Sequence, residues 1–158
     1  NYFSIGCDYC ADGFSDTSRF FDGKIDKLRI YNRILTSAEI NLLNSSDNTS
    51  GLVEWAHWTL DDSSGLDSVS SRDLIVTGTP IINNGSWSLN ENARGEYILQ
   101  TGDNLDNFSL SIRFRIGTNA SNYDSIFSFW RYSYDSNLFF LSFFNFHLRE
   151  KFKKCIPY

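Results

Sequence analysis

The chain has no methionine, two prolines, two histidines and only three cysteines among its 158 residues. Cys7 and Cys10 have the spacing of a metal-ligand pair, but a zinc site needs further ligands, and His57 and His147 are far apart in the sequence. No apolar run reaches the ~18 residues that a membrane-spanning helix requires. The sequence therefore disfavours both a zinc site and a membrane span.

Positive charge is also scarce, because 14 Lys and Arg stand against 19 Asp and Glu and give a net charge of −5. Nothing in the sequence gathers the cations on one face, so binding to a phosphate backbone is disfavoured. The basic run at residues 149–154 is typical of a solvated tail. We therefore expect no nucleic-acid partner.

Apolar residues make up 41% of the chain and aromatic residues 16%, which is enough for a sizeable core. Short apolar segments alternate with turn residues, and along residues 108–116 apolar side chains alternate with Ser109, Ser111, Arg113 and Arg115, which are expected to face water. This pattern predicts an all-β protein folded as a two-layer antiparallel β-sandwich. Strands are predicted at residues 2–5, 23–32, 52–60, 74–77, 86–89, 96–99, 108–116, 126–132 and 138–148.

One strand near the start of the chain contains a break in its alternation. Leu28 and Ile30 share one face by the two-residue period of a strand, whereas Ile25 is out of phase with both. An extra residue in the strand restores the phase, so the pattern predicts a β-bulge near Asp26.

A short helix is predicted directly after this strand, near residues 37–43. Thr36 and Glu39 have the spacing of a capping box, in which each side chain accepts the backbone N–H of the other residue. The apolar stripe of the helix is expected to consist of Ile40, Leu42 and Leu43.

The order of strand, turn and helix cap in residues 21–40 resembles the C-terminal part of LamG-like jelly-roll domains of the concanavalin A-like lectin/glucanase superfamily. Residues 51–62, with Gly65, Asp67 and Ser68 after them, resemble the opening strand and first loop of the same domain type, and residues 107–114 resemble one of its middle strands. Phe114 stands where the family usually has Trp.

The resemblance implies an organisation in two parts. Residues 1–43 are expected to be the C-terminal strands and cap of one unit, residues 44–50 a polar linker, and residues 51–158 the N-terminal part of a second unit. First and last strands are neighbours in this family, so the two parts are expected to pair as a circularly permuted and incomplete jelly roll. Without methionine or a signal peptide, the chain is expected to be an internal piece of a longer protein.

The resemblance also implies a non-catalytic binding or adhesion module that recognises carbohydrate or glycoprotein through loops at the rim of the sandwich. Sugar recognition uses a flat aromatic ring with polar groups beside it, and the loop at residues 118–124 offers both. The alternative role for most aromatic residues is core packing. Trp58 is expected in the core, and Trp55 on the opposite face of the same strand. The predicted ligand-binding residues are Asn122, Tyr123, Asp124 and Trp130.

The resemblance also implies a structural calcium beside such a rim, and calcium prefers several hard oxygen ligands. If the two parts of the chain pair, five aspartates lie in the segments that would meet. The alternative is that these aspartates accept backbone amides in turns and at the bulge. The predicted calcium ligands are Asp22, Asp26, Asp61, Asp62 and Asp67.

Catalysis is not expected. Retaining glucanases of this superfamily place acidic residues at alternate positions of one strand, about 5 Å apart across the scissile bond. The corresponding positions here are Lys24, Asp26 and Leu28, which supply one carboxylate of three. The sequence also lacks a nucleophile elbow and a phosphate-binding glycine loop.

The cysteines and sequons agree with an extracellular or cell-surface setting. Cys7 and Cys10 are expected to form a loop disulfide, with two free thiols in a turn as the alternative, and Cys155 is expected to be unpaired. Two hypotheses for function stay open: a binding module in a larger extracellular multidomain protein, and a structural spacer or incomplete gene product without a small ligand. The glycosylation sequons begin at Asn44, Asn48, Asn84, Asn107 and Asn119.

Overall fold

The predicted β-sandwich is confirmed by the computed structural model, which has two antiparallel sheets packed face to face and one short helix. The structure describes residues 2–7, 20–46, 49–89, 93–119, 125–130, 139–142 and 154–157. For residues 130, 139–142 and 154–157 it describes the backbone. No helix in these ranges has the length and apolarity needed to span a membrane.

The elements follow the predicted order of many short strands and one helix. They are β1 (Tyr2–Ile5), β2 (Gly23–Tyr31), α1 (Ser37–Ser46), β3 (Ala56–Trp58), β4 (Ile75–Thr77), β5 (Ile81–Ile82), β6 (Trp87–Leu89), β7 (Arg94–Ile98), β8 (Ser109–Ile116), β9 (Ser125–Trp130), β10 (Phe139–Ser142) and β11 (Lys154–Pro157).

Each sheet combines a strand from the first 43 residues with strands from the rest of the chain. Sheet A has the order β10-β9-β1-β7-β4, and sheet B has the order β11-β8-β2-β6-β5, with β3 also paired to β2. Within the described residues, β1 and β2 are therefore interior strands, each hydrogen-bonded on both edges to strands that come later in the chain.

The predicted bulge is present in β2. Ile25 lies opposite Phe114 on β8, whereas Ile30 lies opposite Leu110, and the register shifts between Asp26 and Arg29. The shift adds one residue to β2, and Lys27 within it has a φ of 50°. As a result Ile25, Leu28 and Ile30 are all fully buried, although no single two-residue period places them on one face.

The core between the sheets is aromatic. Phe3 of sheet A contacts Trp58 of sheet B edge to face, with 5.5 Å between ring centroids, and stacks on Phe127 at 5.4 Å. Both tryptophans at the centre are fully buried and donate their indole N–H groups to loop carbonyls: Trp58 to Arg72 and Trp87 to Asp62. Packing and hydrogen bonding therefore fix the same side chains.

Helix α1 covers part of the outer face of sheet B. The capping box is confirmed: the Thr36 N–H donates to the Glu39 carboxylate over 2.8 Å, and the Glu39 N–H donates to the Thr36 hydroxyl over 3.3 Å. Leu43 packs with Tyr31 and Leu35 in a small cluster separate from the main core. Leu42 was expected in this stripe, but it is 36% exposed and is not part of this cluster.

The sequence misplaced several features around β3 and β8. The strand predicted at residues 52–60 is confined to Ala56–Trp58, so the parity argument for Trp55 does not apply. Trp55 is buried against Tyr97, with the Arg72 guanidinium 4.1 Å above its ring. Ser109, expected to face water, is 2% exposed because it lies under the segment that leads into α1 and accepts the Leu35 N–H.

Two strands were not predicted from the sequence. β5 is a two-residue edge strand, and β11 begins at Lys154, the last residue of the run that was expected to be a solvated tail. Residues 149–153 of that run lie outside the described residues. β11 pairs with β8 and is the outermost strand on that side of sheet B in the described part of the chain.

Candidate functional site

The loop that was predicted to bind ligand leaves the sandwich beside the start of β2. Its first part is held by Asp22: the backbone carbonyl of Asp22 accepts the Gly117 N–H over 2.8 Å, and its carboxylate accepts the Asn119 N–H over 3.0 Å. At the far end of the loop, Ser125 forms a β-bridge with Phe20. Residues 20–23, called the platform below, therefore hold both ends of the segment 117–125.

Close packing fixes the platform itself. A Cβ atom on Gly117 would lie 2.8 Å from the backbone carbonyl oxygen of Asp22, and one on Gly23 would lie 2.3 Å from the backbone carbonyl oxygen of Arg115. Since real Cβ atoms do not approach backbone this closely, glycine is required at both positions for these two strands to meet. Phe21 is buried here and packs edge to face on Phe114.

A second connection starts at the same place. Cys7 forms a β-bridge with Phe20, the Phe21 N–H donates to the Gly6 carbonyl over 2.9 Å, and the Gly6 N–H donates to the carbonyl of Ile126. Residues 7 and 20 therefore lie side by side, and both are close to the anchored end of the predicted ligand loop at Ser125. Cys7 is buried, and Cys10 lies outside the described residues, so the loop disulfide stays a prediction.

Of the predicted ligand-binding residues, Asn122, Tyr123 and Asp124 lie outside the described residues. The backbone of Trp130 pairs with Tyr2 in sheet A. The structure thus shows how this loop is anchored, and the four ligand contacts stay predictions.

The outer face of sheet B next to the platform is open and carries like charges. Lys24 on β2 lies directly opposite Arg115 on β8, and on its other side it lies opposite Ser88 of β6. Their sequence neighbours Ile25, Trp87 and Leu89 are buried in the core, so these three side chains point outward. We call Ser88, Lys24 and Arg115 the cationic row. No sequence pattern revealed it, because it depends on the register between three strands.

The next pair along these two strands has opposite charges. Arg113 donates to the Asp26 carboxylate over 3.3 Å, and the other carboxylate oxygen of Asp26 is buried without a hydrogen-bond partner in the described part of the chain. Burial raises the pKa of Asp26 and the charge of Asp61 adds to this effect, while Arg113 and Lys27 oppose it. Asp26 therefore pairs with a cation, whereas backbone amides had been proposed as its partners.

Two other aspartates of the predicted calcium site, Asp62 and Asp67, serve separate loops. Asp62 accepts the Ser64 N–H over 2.7 Å in an Asx turn. Asp67 is buried and accepts the N–H groups of His57, Val69 and Ser70. Among the described residues, no three acidic, histidine or cysteine side chains come together as a metal-binding group. Calcium binding stays a prediction, and the turn alternative accounts for Asp62 and Asp67.

A buried ionic cluster lies further along the same face, beyond the bulge. Arg29 pairs with Glu54 over 3.0 Å, and both side chains are less than a tenth exposed, at 8% and 9%. The second carboxylate oxygen of Glu54 lies 3.2 Å from His57 Nδ1. The Nε2 atom of His57 is also buried, so most of the cluster is shielded from solvent.

A comparison of the chain with protein-family models, curated proteins and solved structures finds no match.

Proposed function

We propose that the chain is a non-catalytic binding module that recognises carbohydrate or glycoprotein, within a larger extracellular protein. The observation that carries the proposal is the platform, where Asp22 holds the Gly117 and Asn119 end of the predicted ligand loop and Phe20 holds the Ser125 end. Loops held at both ends by a rigid sheet are the common location of binding residues in β-sandwiches.

The distribution of acidic groups supports binding over catalysis. The outward positions of β2 before the bulge are Lys24 and Asp26, and the carboxylate of Asp26 is engaged by Arg113. Glu54 is buried in its pair with Arg29. A double-displacement glycosidase needs two accessible carboxylates about 5 Å apart, and neither of these side chains offers that geometry with its present partner.

A glycan array tests this proposal. We expect selective binding by the chain, and a loss of at least ten-fold in affinity for Tyr123→Ala and for Asp124→Ala, because each removes one half of the proposed contact. Asp106→Ala is the matched control, since Asp106 is an exposed carboxylate at the opposite end of β8. Melting temperatures of all three variants should stay close to that of the parent chain.

If the folded chain bound no glycan on the array, the result would contradict the binding proposal and favour the structural spacer. Equal binding by all three variants would keep carbohydrate recognition and remove the loop at residues 118–124 as its site.

A further inference from the structure

In the absence of a ligand, the like charges of the cationic row repel each other. Directly opposite side chains on neighbouring antiparallel strands have their Cβ atoms about 4.5–5.5 Å apart, and like charges at this distance destabilise the pair. Lys24 and Arg115 occupy such positions. In the part of the chain that the structure describes, neither of them has an ion-pair or hydrogen-bond partner, because the nearby carboxylate of Asp26 is taken by Arg113.

From this juxtaposition we infer that the open face of sheet B binds an acidic saccharide, with its sulfate or uronate groups on Lys24 and Arg115. The inference rests on the proposed carbohydrate function and specifies its ligand class. A sulfate or carboxylate placed between the two cations replaces their repulsion with two attractive contacts. Arg115 has the planar donor fork that suits such groups, and Lys24 supplies a compact point charge.

The residues that continue the row fit a sugar. Ser88, next to Lys24, adds a hydroxyl that can donate to or accept from a sugar hydroxyl. Ile81 of β5 lies opposite Ser88 and is 57% exposed, so it adds an apolar surface for the C–H face of a ring. Neighbouring strands are about 4.8 Å apart, so the four side chains form a strip about 15 Å long. The strip runs from the cation Arg115 at one end to the apolar Ile81 at the other.

The small number of cations in the row favours a short acidic saccharide over a nucleic acid. The row contains two cations, whereas affinity for a phosphate backbone grows with the number of phosphates neutralised. Two cations beside a hydroxyl and an apolar residue match the mixed chemistry of a sulfated or uronate-containing sugar. The row also begins at Arg115, two residues before Gly117 and the anchored loop.

Isothermal titration at low ionic strength tests the inference with three probes: a sulfated, uronate-containing hexasaccharide, its desulfated and carboxyl-reduced counterpart, and inorganic sulfate. We expect the acidic hexasaccharide to bind, with an affinity that falls as salt is added. Lys24→Gln and Arg115→Gln should each weaken binding at least five-fold, and Lys24→Glu should abolish it. Arg94→Gln is the matched control, since it removes one positive charge from sheet A, where Arg94 pairs with Glu96.

Equal binding by Lys24→Gln, Arg115→Gln and Arg94→Gln would overturn the inference, and so would binding of inorganic sulfate as tight as that of the hexasaccharide. Competition by a single-stranded oligonucleotide at equal affinity would overturn the preference for a saccharide. If only the neutral hexasaccharide binds and Tyr123→Ala removes that binding, the acidic ligand is wrong while the proposed function stands. If neither sugar binds here or on the array, both fail.

Discussion

The two halves of β2 present their outward side chains to opposite surroundings. After the bulge, Arg29 and Tyr31 are buried, the first in its ion pair with Glu54 and the second under α1. Before the bulge, Lys24 and Asp26 stay partly exposed on an open face. The same two strands, β2 and β8, run through both halves.

This difference shows that strand alternation assigns side chains to a face but does not determine whether water reaches that face. The segment after β2 folds back as α1 and covers one half, which turns outward positions into a second, smaller core. Charged groups must then be paired, as Arg29 and Glu54 are, because an unpaired buried charge is strongly destabilising. On the open half, water and dissolved ions screen the repulsion between Lys24 and Arg115, so these like charges can face each other without a partner of opposite charge.

The largest expected effect comes from breaking the buried ion pair. Glu54→Gln leaves the buried Arg29 without a counter-charge, and we expect it to lower the free energy of unfolding by about 3–5 kcal/mol in urea denaturation. The matched change on the open half, Asp26→Asn, should be neutral or slightly stabilising at pH 7, because burial raises the pKa of Asp26 and disfavours its charge. Comparable losses for the two variants would mean that the halves do not differ in burial.

Removing an apolar contact under the helix should have the next largest effect. Leu43→Ala should lower the free energy of unfolding by about 2–5 kcal/mol, because Leu43 is buried against Tyr31 and Leu35. Leu42→Ala, one residue away on the exposed side, is the control and should change stability by less than about 0.5 kcal/mol. The same denaturation measurement gives both values. A reversed order would show that α1 packs through a different face.

Lowering the pH should change the contributions of Glu39 and Asp26 to the free energy of unfolding in opposite directions. Hydrogen bonds from Arg33 and Thr36 lower the pKa of Glu39 from its usual 4.5 to about 2. The stabilisation by ionised Glu39 is therefore complete above pH 4.5 and is lost as the pH falls through about 2. Asp26 has a raised pKa, so its protonated form contributes most below pH 3.8, and that contribution is lost as the pH rises through the raised value.

Melting temperatures between pH 2 and pH 6 separate these contributions. Glu39→Gln should flatten the acid loss between pH 4.5 and 2, and Asp26→Asn should remove a component of the opposite sign. If Glu39→Gln leaves the pH profile unchanged, its ion pair with Arg33 does not stabilise the fold in solution.

The smallest expected effect comes from reversing one charge of the cationic row. Lys24→Glu places opposite charges face to face with Arg115, so we expect a gain of about 0.2–1 kcal/mol in the free energy of unfolding. Arg94→Glu is the control of equal charge change, and it should lose stability because it opposes Glu96. A loss of stability in Lys24→Glu would show that the row is not repulsive.

Local patterns in the sequence predicted much of the fold. The phase break at Ile25 indicated the bulge, and the spacing of Thr36 and Glu39 indicated the cap, since both depend on residues close in the chain. Burial of Ser109 and Trp55 could not be read in this way. The burial of these two side chains depends on which distant segment packs above them. The alternation of apolar and polar residues within a strand does not indicate that segment.

The candidate site was predictable only in part. The sequence marked residues 118–124 as a loop, but its attachment to Asp22 joins residues 97 positions apart. Asp62 and Asp67, two of the predicted calcium ligands, each accept amides of their own loop. The carboxylate of an aspartate can accept hydrogen bonds from its own loop or join other carboxylates at a metal site. The residue type alone does not show which of these two roles an aspartate has.

The central claim is that the bulge in β2 divides sheet B into a covered half and an open half. Nuclear Overhauser contacts between the backbone protons of β2 and β8 test it most directly. The account predicts contacts of Ile25 with Phe114 and of Ile30 with Leu110 in the same folded species. Contacts of Ile30 with Ser109, the partner that an unbroken register from Ile25 would give, would contradict it.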